Sequence, residues 1–238
     1  MNNWLERTEL LIGEENIKKL KNAHILVAGL GGVGGFAAEM LCRAGVGTLS
    51  IIDSDNFVES NRNRQIGALI STIGKSKTEV MKSRLLDINP NIQIYSYCEY
   101  LKENEIKEIL LKEKYDYIID AIDTLTPKFF VIYHSVINKL KFISSMGAGG
   151  KLNPAEIKIT DISKSYECKL AYKIRKKLHA HNITTGFKVV FSSETVPRSV
   201  IISEETGPNK KSTIGTISYI PAIFGCYCAS EAIKEILA

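Results

Sequence analysis

The chain has 238 residues, of which 45% are hydrophobic and 24% are charged, and its formal net charge is +5. These values are ordinary for a globular protein with a full core, and one large α/β domain is the default at this length. Apolar stretches are interrupted and too short for a bilayer, so we expect no membrane span and no signal peptide. Five scattered cysteines favour a reducing compartment over a disulfide framework, which predicts a cytoplasmic protein.

The first 54 residues contain the most informative pattern. Residues 1–22 predict two short helices separated by Gly13, and an apolar strand beginning at His24 then runs into a G-x-G-x-x-G turn. A helix over residues 35–44 and a strand ending at Asp53 follow. The glycines of the turn are Gly29, Gly31, Gly32 and Gly34. This order of strand, turn, helix and acidic residue predicts a nucleotide-binding crossover.

Each glycine of this turn has a predicted role. Gly29 permits the tight turn, and Gly34 allows the helix to pack on the strand. Gly31 and Gly32 leave the backbone bare, so that a phosphate can approach the N–H groups at the helix start. Asp53 is placed to accept hydrogen bonds from a ribose. The pattern leaves the identity of the nucleotide open.

Further strands and helices alternate along the chain. A polar loop over residues 54–66 follows the second strand, where ligands bind in this class. Strands are predicted over residues 92–97, 115–121, 142–145, 157–161 and 187–192. Helices are predicted over residues 74–88, 103–114, 127–138, 167–179 and 217–237. Residues 194–213 are expected to form a mobile connection near the ligand.

The predicted fold class is α/β, with a Rossmann-like parallel sheet and a glycine-rich nucleotide loop. C-terminal strands, expected to be antiparallel, extend the sheet. No repeat or linker divides the chain, so we predict one domain over residues 1–238. Within it, residues 1–150 form the nucleotide-binding half and residues 151–238 the substrate or sheet-extension half.

Charged residues beyond the turn suit a polyphosphate. Arg64 and Lys77 can neutralise charge on phosphate oxygens, a contribution of about a few kcal/mol in a dry site. Asp123 follows the strand over residues 115–121 and could hold a Mg²⁺ ion that bridges those oxygens. A dehydrogenase would need a second mononucleotide site, which we do not find. An NAD-dependent reductase and a non-catalytic nucleotide-binding protein remain as alternatives.

Several motifs together resemble the adenylating core of the ubiquitin-activating-enzyme superfamily, which includes the molybdopterin-synthase and thiamine-biosynthesis adenylyltransferases. They are the glycine turn, Asp53-x-Asp55, the run NRNRQ at residues 61–65, the run GKSK at residues 74–77 and Asp120-x-x-Asp123. Residues 7–13, 146–154 and 160–162 more specifically resemble the tRNA threonylcarbamoyladenosine dehydratases. The resemblance covers nearly the whole chain.

The resemblance implies a homodimeric enzyme that uses ATP and Mg²⁺ to activate a carboxylate. It implies that Asp53 binds the ribose of ATP, and that Asp123 serves the metal and the transferring phosphate. The residues implied around the phosphates are Asp55, Asn61, Arg64, Gln65 and Lys77. In this superfamily an N-terminal arginine reaches the ATP site of the partner subunit, and Arg7 occupies that place.

The implied substrate is tRNA, whose threonylcarbamoyladenosine carboxylate attacks the ATP α-phosphate. The carbamoyl nitrogen then closes a ring, and AMP leaves. The basic helix near residues 169–177 and the pair Lys210-Lys211 either contact the tRNA backbone or form a solvated face. The alternative within the superfamily is adenylation of a ubiquitin-like sulfur carrier. Two expected absences argue against it: the sequence lacks the cysteine pairs of a zinc site, and it lacks an exposed cysteine that could act as acceptor. Docking of a sulfur-transfer protein stays open.

Overall fold

The computed structural model describes residues 4–99, 102–203 and 212–238. Its strands are β1 His24–Ala28, β2 Thr48–Ile52, β3 Gln93–Tyr97, β4 Tyr117–Asp120, β5 Phe142–Ser145, β6 Ile157–Asp161, β7 Lys188–Ser192, β8 Ile201–Ser203 and β9 Ser212–Ile214. Its α-helices are α1 Glu6–Ile12, α2 Glu14–Asn22, α3 Gly34–Arg43, α4 Lys77–Ile88, α5 Glu103–Lys112, α6 Leu125–Ile137, α7 Lys169–His179 and α8 Tyr219–Leu237.

Strands β1 to β7 form one sheet in the order β3-β2-β1-β4-β5-β7-β6. Neighbouring strands are parallel except for β6, which is antiparallel to β7. The predicted α/β fold with an antiparallel C-terminal extension is therefore confirmed. Strand β7 itself runs parallel to β5, so only the outermost strand of the extension reverses direction.

Helices cover both faces of the sheet. Ile25 and Val27 point to the face covered by α3, α4 and α8, whereas Leu26 points to the face covered by α5, α6 and α7. This alternation follows from the two-residue period of a strand, and burial on both faces explains why the strand sequences are continuously apolar. None of the helices in the described part of the chain combines the length and the apolar character that crossing a bilayer requires.

Residues 194–213 were expected to be a mobile connection, but the described parts of this segment contain regular secondary structure. A single helical turn at Arg198–Val200 leads into β8, which pairs with β9 as an antiparallel hairpin. The β-branched residues of the two short segments favour this pairing, although neither segment is long enough to stand out in the sequence. Residues 204–211, including Lys210 and Lys211, lie outside the described residues.

The strand order creates a crevice beside the glycine turn. From β1 the chain passes to β2 and β3 on one side, and it then returns to β4 and β5 on the other, so a crevice opens beyond the carboxyl ends of β1 and β4. The Ala121 N–H donates to the Ala28 carbonyl at 2.8 Å. The loop after β4 therefore lies directly against the turn that begins at Gly29.

Candidate active site

Two glycines of the turn are required by its backbone geometry. Gly29 has a φ of +89°, in the left-handed region, and a Cβ there would lie 2.9 Å from the Ala121 carbonyl oxygen. A Cβ on Gly34 would lie 1.7 Å from the Gly29 carbonyl oxygen. Any side chain at Gly34 would therefore push α3 away from β1. These constraints agree with the turn and packing roles predicted for the two positions.

Gly31 and Gly32 differ in their surroundings. Within the described residues, a Cβ on Gly31 would meet only Gln65 Nε2, at 3.7 Å. A Cβ on Gly32 would instead lie 3.0 Å from the Pro221 Cβ and 3.4 Å from the Arg64 Cγ. Protein groups thus occupy the space beside Gly32, which gives that glycine a packing reason. The open approach to the turn is at Gly31.

Asp53 connects the end of β2 to the glycine turn. Its Oδ2 accepts a hydrogen bond from the Leu30 N–H at 2.7 Å, and its Oδ1 accepts one from the Asp55 N–H at 2.9 Å. Burial raises the pKa of Asp53 above its usual value, while Lys77 and the two backbone hydrogen bonds oppose the rise. Each carboxylate oxygen can accept a further hydrogen bond, so the group can still receive ribose hydroxyls.

Lys77 lies at the same rim, as the first residue of α4. Its ammonium is 2.8 Å from Asp55 Oδ2 and 3.6 Å from Asp53 Oδ1, and its side chain is 6% exposed. Asp55 is 68% exposed, so water screens its attraction for the ammonium. The structure thus brings a buried cation to the crevice and holds it there with two carboxylates.

Arg64 and Gln65 approach the turn from the polar loop that follows β2. The aliphatic part of Arg64 lies beside Gly32, and its guanidinium donates two hydrogen bonds of 2.9 Å within its own loop. Gln65 is buried, and its Nε2 is the atom nearest the open side of Gly31. Its Oε1 is buried without a hydrogen-bond partner among the described residues. Such orphaned acceptors are rare, and this one fits a site that a ligand completes.

Asn61 has a structural contact in this loop. Its side chain is buried, and its Oδ1 accepts a hydrogen bond from the Val58 N–H at 3.1 Å. The neighbouring Arg62 pairs with Glu59 at 2.8 Å on the surface. Asn61 therefore helps to hold the loop in shape, and its contact with phosphate stays a prediction.

The two aspartates after β4 lie in different environments. Asp123 is exposed at the start of the crevice. Asp120 is fully buried, and its Oδ2 lies 2.6 Å from both Lys128 Nζ and Ser144 Oγ. Sequence reasoning missed Lys128 and Ser144. The available signal was that Lys128 is the only Lys, Arg, Asp or Glu residue in α6.

Arg7 is not brought together with the other site residues. Leu5, just before α1, packs against Gly45, at the end of α3 opposite the glycine turn. With ten residues, α3 is about 15 Å long. The exposed Arg7 side chain therefore lies far from the crevice of its own chain. Within one chain this arrangement leaves the predicted contribution of Arg7 to a partner subunit untested.

The residues present fit ATP and Mg²⁺. The open side of Gly31, the Gln65 Nε2 donor beside it and the buried Lys77 cation suit a triphosphate. The orphaned Gln65 Oε1 is an acceptor, so it suits a ribose hydroxyl or a metal-bound water instead. Among the described residues, no three His, Cys, Asp or Glu side chains form a metal-binding group. Mg²⁺ is typically held by one or two carboxylates together with substrate phosphates, so Asp123 alone is a sufficient protein donor.

Comparisons with known proteins agree with this geometry. The model of the ThiF family matches residues 5–238. The chain belongs to the ThiF family. A tRNA threonylcarbamoyladenosine dehydratase of Bacillus subtilis is 35% identical, over 97% of this chain and 93% of its own length. The structure of the E. coli tRNA N6-threonylcarbamoyladenosine dehydratase in complex with ATP has a TM-score of 0.90 and 32% identity, covering 100% of this chain and 96% of that one.

A relative that matches over a shorter stretch bears on the sulfur-carrier alternative. The adenylyltransferase and sulfurtransferase MOCS3 of Drosophila virilis is 36% identical, but over only 48% of this chain and 25% of its own length. This alternative therefore fits less well. One argument against it has to be corrected, however, because Cys98 and Cys226 are exposed. The absence of an exposed cysteine can no longer be used to exclude a sulfur acceptor.

Proposed function

We propose that this chain catalyses the ATP-dependent dehydration and cyclisation of N6-threonylcarbamoyladenosine in tRNA. The observation that carries the proposal is an open glycine turn with Lys77, Arg64 and Gln65 at its rim. Such a site suits a nucleotide triphosphate. The full-length similarity to threonylcarbamoyladenosine dehydratases supports the choice of substrate.

The reaction proceeds in two steps. A threonyl carboxylate oxygen bonds to the α-phosphorus of ATP, and pyrophosphate leaves. The carbamoyl nitrogen then attacks the activated carbonyl and loses its proton, and AMP leaves as the ring closes. No protein nucleophile is needed. The protein accelerates the first step by orienting the triphosphate and by placing Lys77 and Arg64 where negative charge develops.

Asp123 is the residue that we assign to Mg²⁺ in this reaction. It is exposed at the carboxyl end of β4, beside the turn that receives the phosphates. A bound Mg²⁺ ion would neutralise phosphate charge and help pyrophosphate to leave. Asp120 cannot replace Asp123, because its carboxylate is 0% exposed and is enclosed by Lys128, Ser144 and the Ile122 N–H.

We assign the active form to a homodimer in which Arg7 completes the site of the partner subunit. The distance between Arg7 and its own crevice supports this assignment, because a phosphate-binding role for Arg7 then needs a second chain. Helix α1 has no buried residue, and Leu10 and Leu11 are more than 80% exposed. This apolar surface is the part of the chain that we expect a second copy to cover.

Helix α7 is the surface that we assign to the tRNA backbone. Its buried residues lie on one face, and Lys173 and Lys176 are exposed on the other. The helix has no acidic residue, and none of its lysines forms an ion pair within the described residues. It begins beside the loop after β5, since Leu170 Cβ would lie 3.8 Å from a Cβ on Gly147. A polyanion bound along α7 would therefore lead into the crevice.

The decisive experiment is mass spectrometry of tRNA nucleosides after incubation with the protein, ATP and Mg²⁺. Loss of one water from threonylcarbamoyladenosine, with release of AMP and pyrophosphate, is the expected result. The variants Lys77→Ala and Asp123→Ala should form no AMP while they remain folded by circular dichroism. Intact nucleoside together with AMP transfer to a sulfur-carrier C terminus would establish the alternative instead.

The remaining assignments follow from this function. We place the enzyme in the cytoplasm, where its tRNA and ATP are found, and we leave a sulfur-transfer protein as a possible additional partner. We also propose that residues 1–238 act as one domain, because β5 pairs directly with β7 across the two halves. Limited proteolysis that released a stable half would contradict the single domain.

A further inference from the structure

A buried polar cluster beneath the crevice takes no direct part in the chemistry proposed above. Asp120 ends β4, Ser144 is its neighbour on β5, and Lys128 lies in the first turn of α6. All three residues are 0% exposed. Asp120 Oδ2 lies 2.6 Å from Lys128 Nζ and from Ser144 Oγ, and the ammonium is 3.1 Å from the same hydroxyl.

Stability alone gives no reason for this cluster. Removing two charges from water costs several kcal/mol per ion, and a well-packed apolar pair of similar volume is often as stable or more stable. In addition, a cation in the first turn of a helix faces the positive end of the helix dipole. The attraction of the Asp120 carboxylate has to offset both costs for the Lys128 ammonium to remain buried there.

The cluster does constrain the short segment that carries Asp123. Asp120 Oδ1 accepts a hydrogen bond from the Ile122 N–H at 3.1 Å, immediately before Asp123. The Lys128 ammonium binds the other oxygen of the same carboxylate. The backbone N–H of Lys128 donates at 3.2 Å to the carbonyl of Thr124, the residue immediately after Asp123. One buried carboxylate thus fastens the chain directly before Asp123 and ties it to the first turn of α6 after Asp123.

The same segment forms one wall of the glycine turn. The Ala121 carbonyl oxygen would lie 2.9 Å from a Cβ on Gly29, and the Ala121 Cβ would lie 3.1 Å from one on Gly34. A small shift of this segment would therefore move Asp123 and alter the turn at the same time. Misplacement of a catalytic group by about 1 Å can cost 10²-fold in rate.

We propose that Lys128 is a positioning residue for adenylation. Through Asp120 and Ser144, it holds residues 121–123 against the glycine turn, so that Asp123 faces the nucleotide phosphates. This inference rests on the role proposed for Asp123. Lys128 does not touch the substrate, because it is fully enclosed on the protein side of the segment.

The test separates positioning from stability with the double variant Asp120→Asn, Lys128→Met. The new amide keeps an acceptor for the Ile122 N–H, and its N–H₂ group can donate to Ser144 Oγ, so the variant removes both charges and the link to α6. The Ser144 hydroxyl, which donates to Asp120 in wild type, then turns to another acceptor. We expect the single variant Lys128→Met to melt well below wild type, because it leaves a buried carboxylate unpaired. The double variant should recover most of that loss.

Function should not recover with stability. We expect the double variant to release pyrophosphate at least tenfold more slowly than wild type at saturating ATP and tRNA. Amide hydrogen exchange at Ile122 and Asp123 should be at least tenfold faster, while the amides within β4 exchange as in wild type. The milder variant Ser144→Ala removes the two hydrogen bonds of the hydroxyl but keeps the Lys128–Asp120 ion pair, so it should shift both measurements in the same direction by a smaller factor.

Glu39→Gln is the matched control. Glu39 is also a buried carboxylate, and it pairs with Arg84 at 2.6 Å and Arg43 at 2.8 Å, away from the segment after β4. It should lower the melting temperature and leave the turnover number unchanged. A control that slows turnover as much as the cluster variants would overturn the proposal, since the effect would then be a general one.

Two further outcomes are decisive. A double variant that recovers its turnover number and its exchange rates along with its melting temperature would reduce the cluster to a structural role. If wild type releases no pyrophosphate with substrate tRNA, the proposed function fails. The exchange rates at Ile122 and Asp123, compared between wild type, the double variant and Ser144→Ala, still decide whether Lys128 positions the segment.

Discussion

The open side of Gly31 allows nucleotide binding to be tested without disturbing the fold. Among the residues that the structure describes, a Cβ at this position would meet only Gln65 Nε2, at the ordinary contact distance of 3.7 Å, and the φ of Gly31 lies outside the left-handed region. Replacing glycine by alanine at a compatible position stabilises a protein by about 0.4–1 kcal/mol through the unfolded state. We therefore expect Gly31→Ala to unfold in urea at the wild-type concentration or slightly above it.

Nucleotide binding should respond in the opposite direction. The added methyl group would occupy the space through which a phosphate approaches the turn, so we expect ATP affinity measured by calorimetry to fall at least tenfold, or about 1.4 kcal/mol. Gly34→Ala is the control, because its Cβ would lie 1.7 Å from the Gly29 carbonyl oxygen and should destabilise the fold by about 1–3 kcal/mol or more. Wild-type ATP affinity in Gly31→Ala would refute the placement of the phosphates at this turn.

Three further predictions concern the dimer, the tRNA surface and acid stability. Arg7→Ala should be inactive alone. Mixing it with Lys77→Ala should restore about a quarter of wild-type activity, because about half of the dimers are then mixed and each mixed dimer has one intact site. No recovery would exclude the cross-subunit role. Lys173→Ala should lower, by about 1, the slope of the logarithm of tRNA affinity against the logarithm of salt concentration. Lys107→Ala, on the mixed-charge helix α5, should leave this slope unchanged. A slope for Lys173→Ala equal to that of wild type would remove α7 from the interface. Burial raises the pKa of Asp161, but hydrogen bonds to its carboxylate outweigh burial and hold that pKa at about 2, so its contribution to stability is present above about 4 and lost as pH falls toward 2. Urea unfolding of wild type and Asp161→Asn should therefore converge over that range, and a constant difference would contradict the assignment.

Local patterns predicted the elements of this protein well, because each element is encoded by neighbouring residues. The strands Phe142–Ser145 and Ile157–Asp161 have the bounds that the sequence predicted, and the glycine turn has the positive φ at Gly29 that its spacing requires. Contacts between distant residues were not accessible in this way. Gly32 packs against Pro221, and the Lys128 ammonium is buried by Asp120 and Ser144, although nothing beside these residues in the sequence indicates their partners.

The same limit applies to the role of a residue within the site. Asn61 was grouped with the phosphate ligands by its motif, yet its side-chain oxygen accepts a hydrogen bond from the Val58 N–H. Arg7 belongs to the motif set and lies at the far end of α3. A motif identifies which residues take part in a family's chemistry. Only the surrounding contacts show whether each one can act directly, indirectly or from another subunit.

Asp55 shows how this distinction can be measured. A carboxylate repels phosphate, so Asp55 can support a triphosphate only through a cation, and two cations are available: Lys77, at 2.8 Å, and Mg²⁺. Because Asp55 is 68% exposed, its pairing with Lys77 contributes at most about 1 kcal/mol, and Asp55→Asn should leave the unfolding free energy nearly unchanged.

ATP affinity of Asp55→Asn, measured with and without Mg²⁺, then separates the two routes. If Asp55 acts by orienting Lys77, affinity should fall by a similar factor in both conditions. If it acts on the metal, the loss should appear only with Mg²⁺. The buried position of the Lys77 ammonium between Asp53 and Asp55 favours the first result, because a cation already held at the rim needs only a small movement to meet the phosphates. Unchanged affinity in both conditions would remove Asp55 from the site.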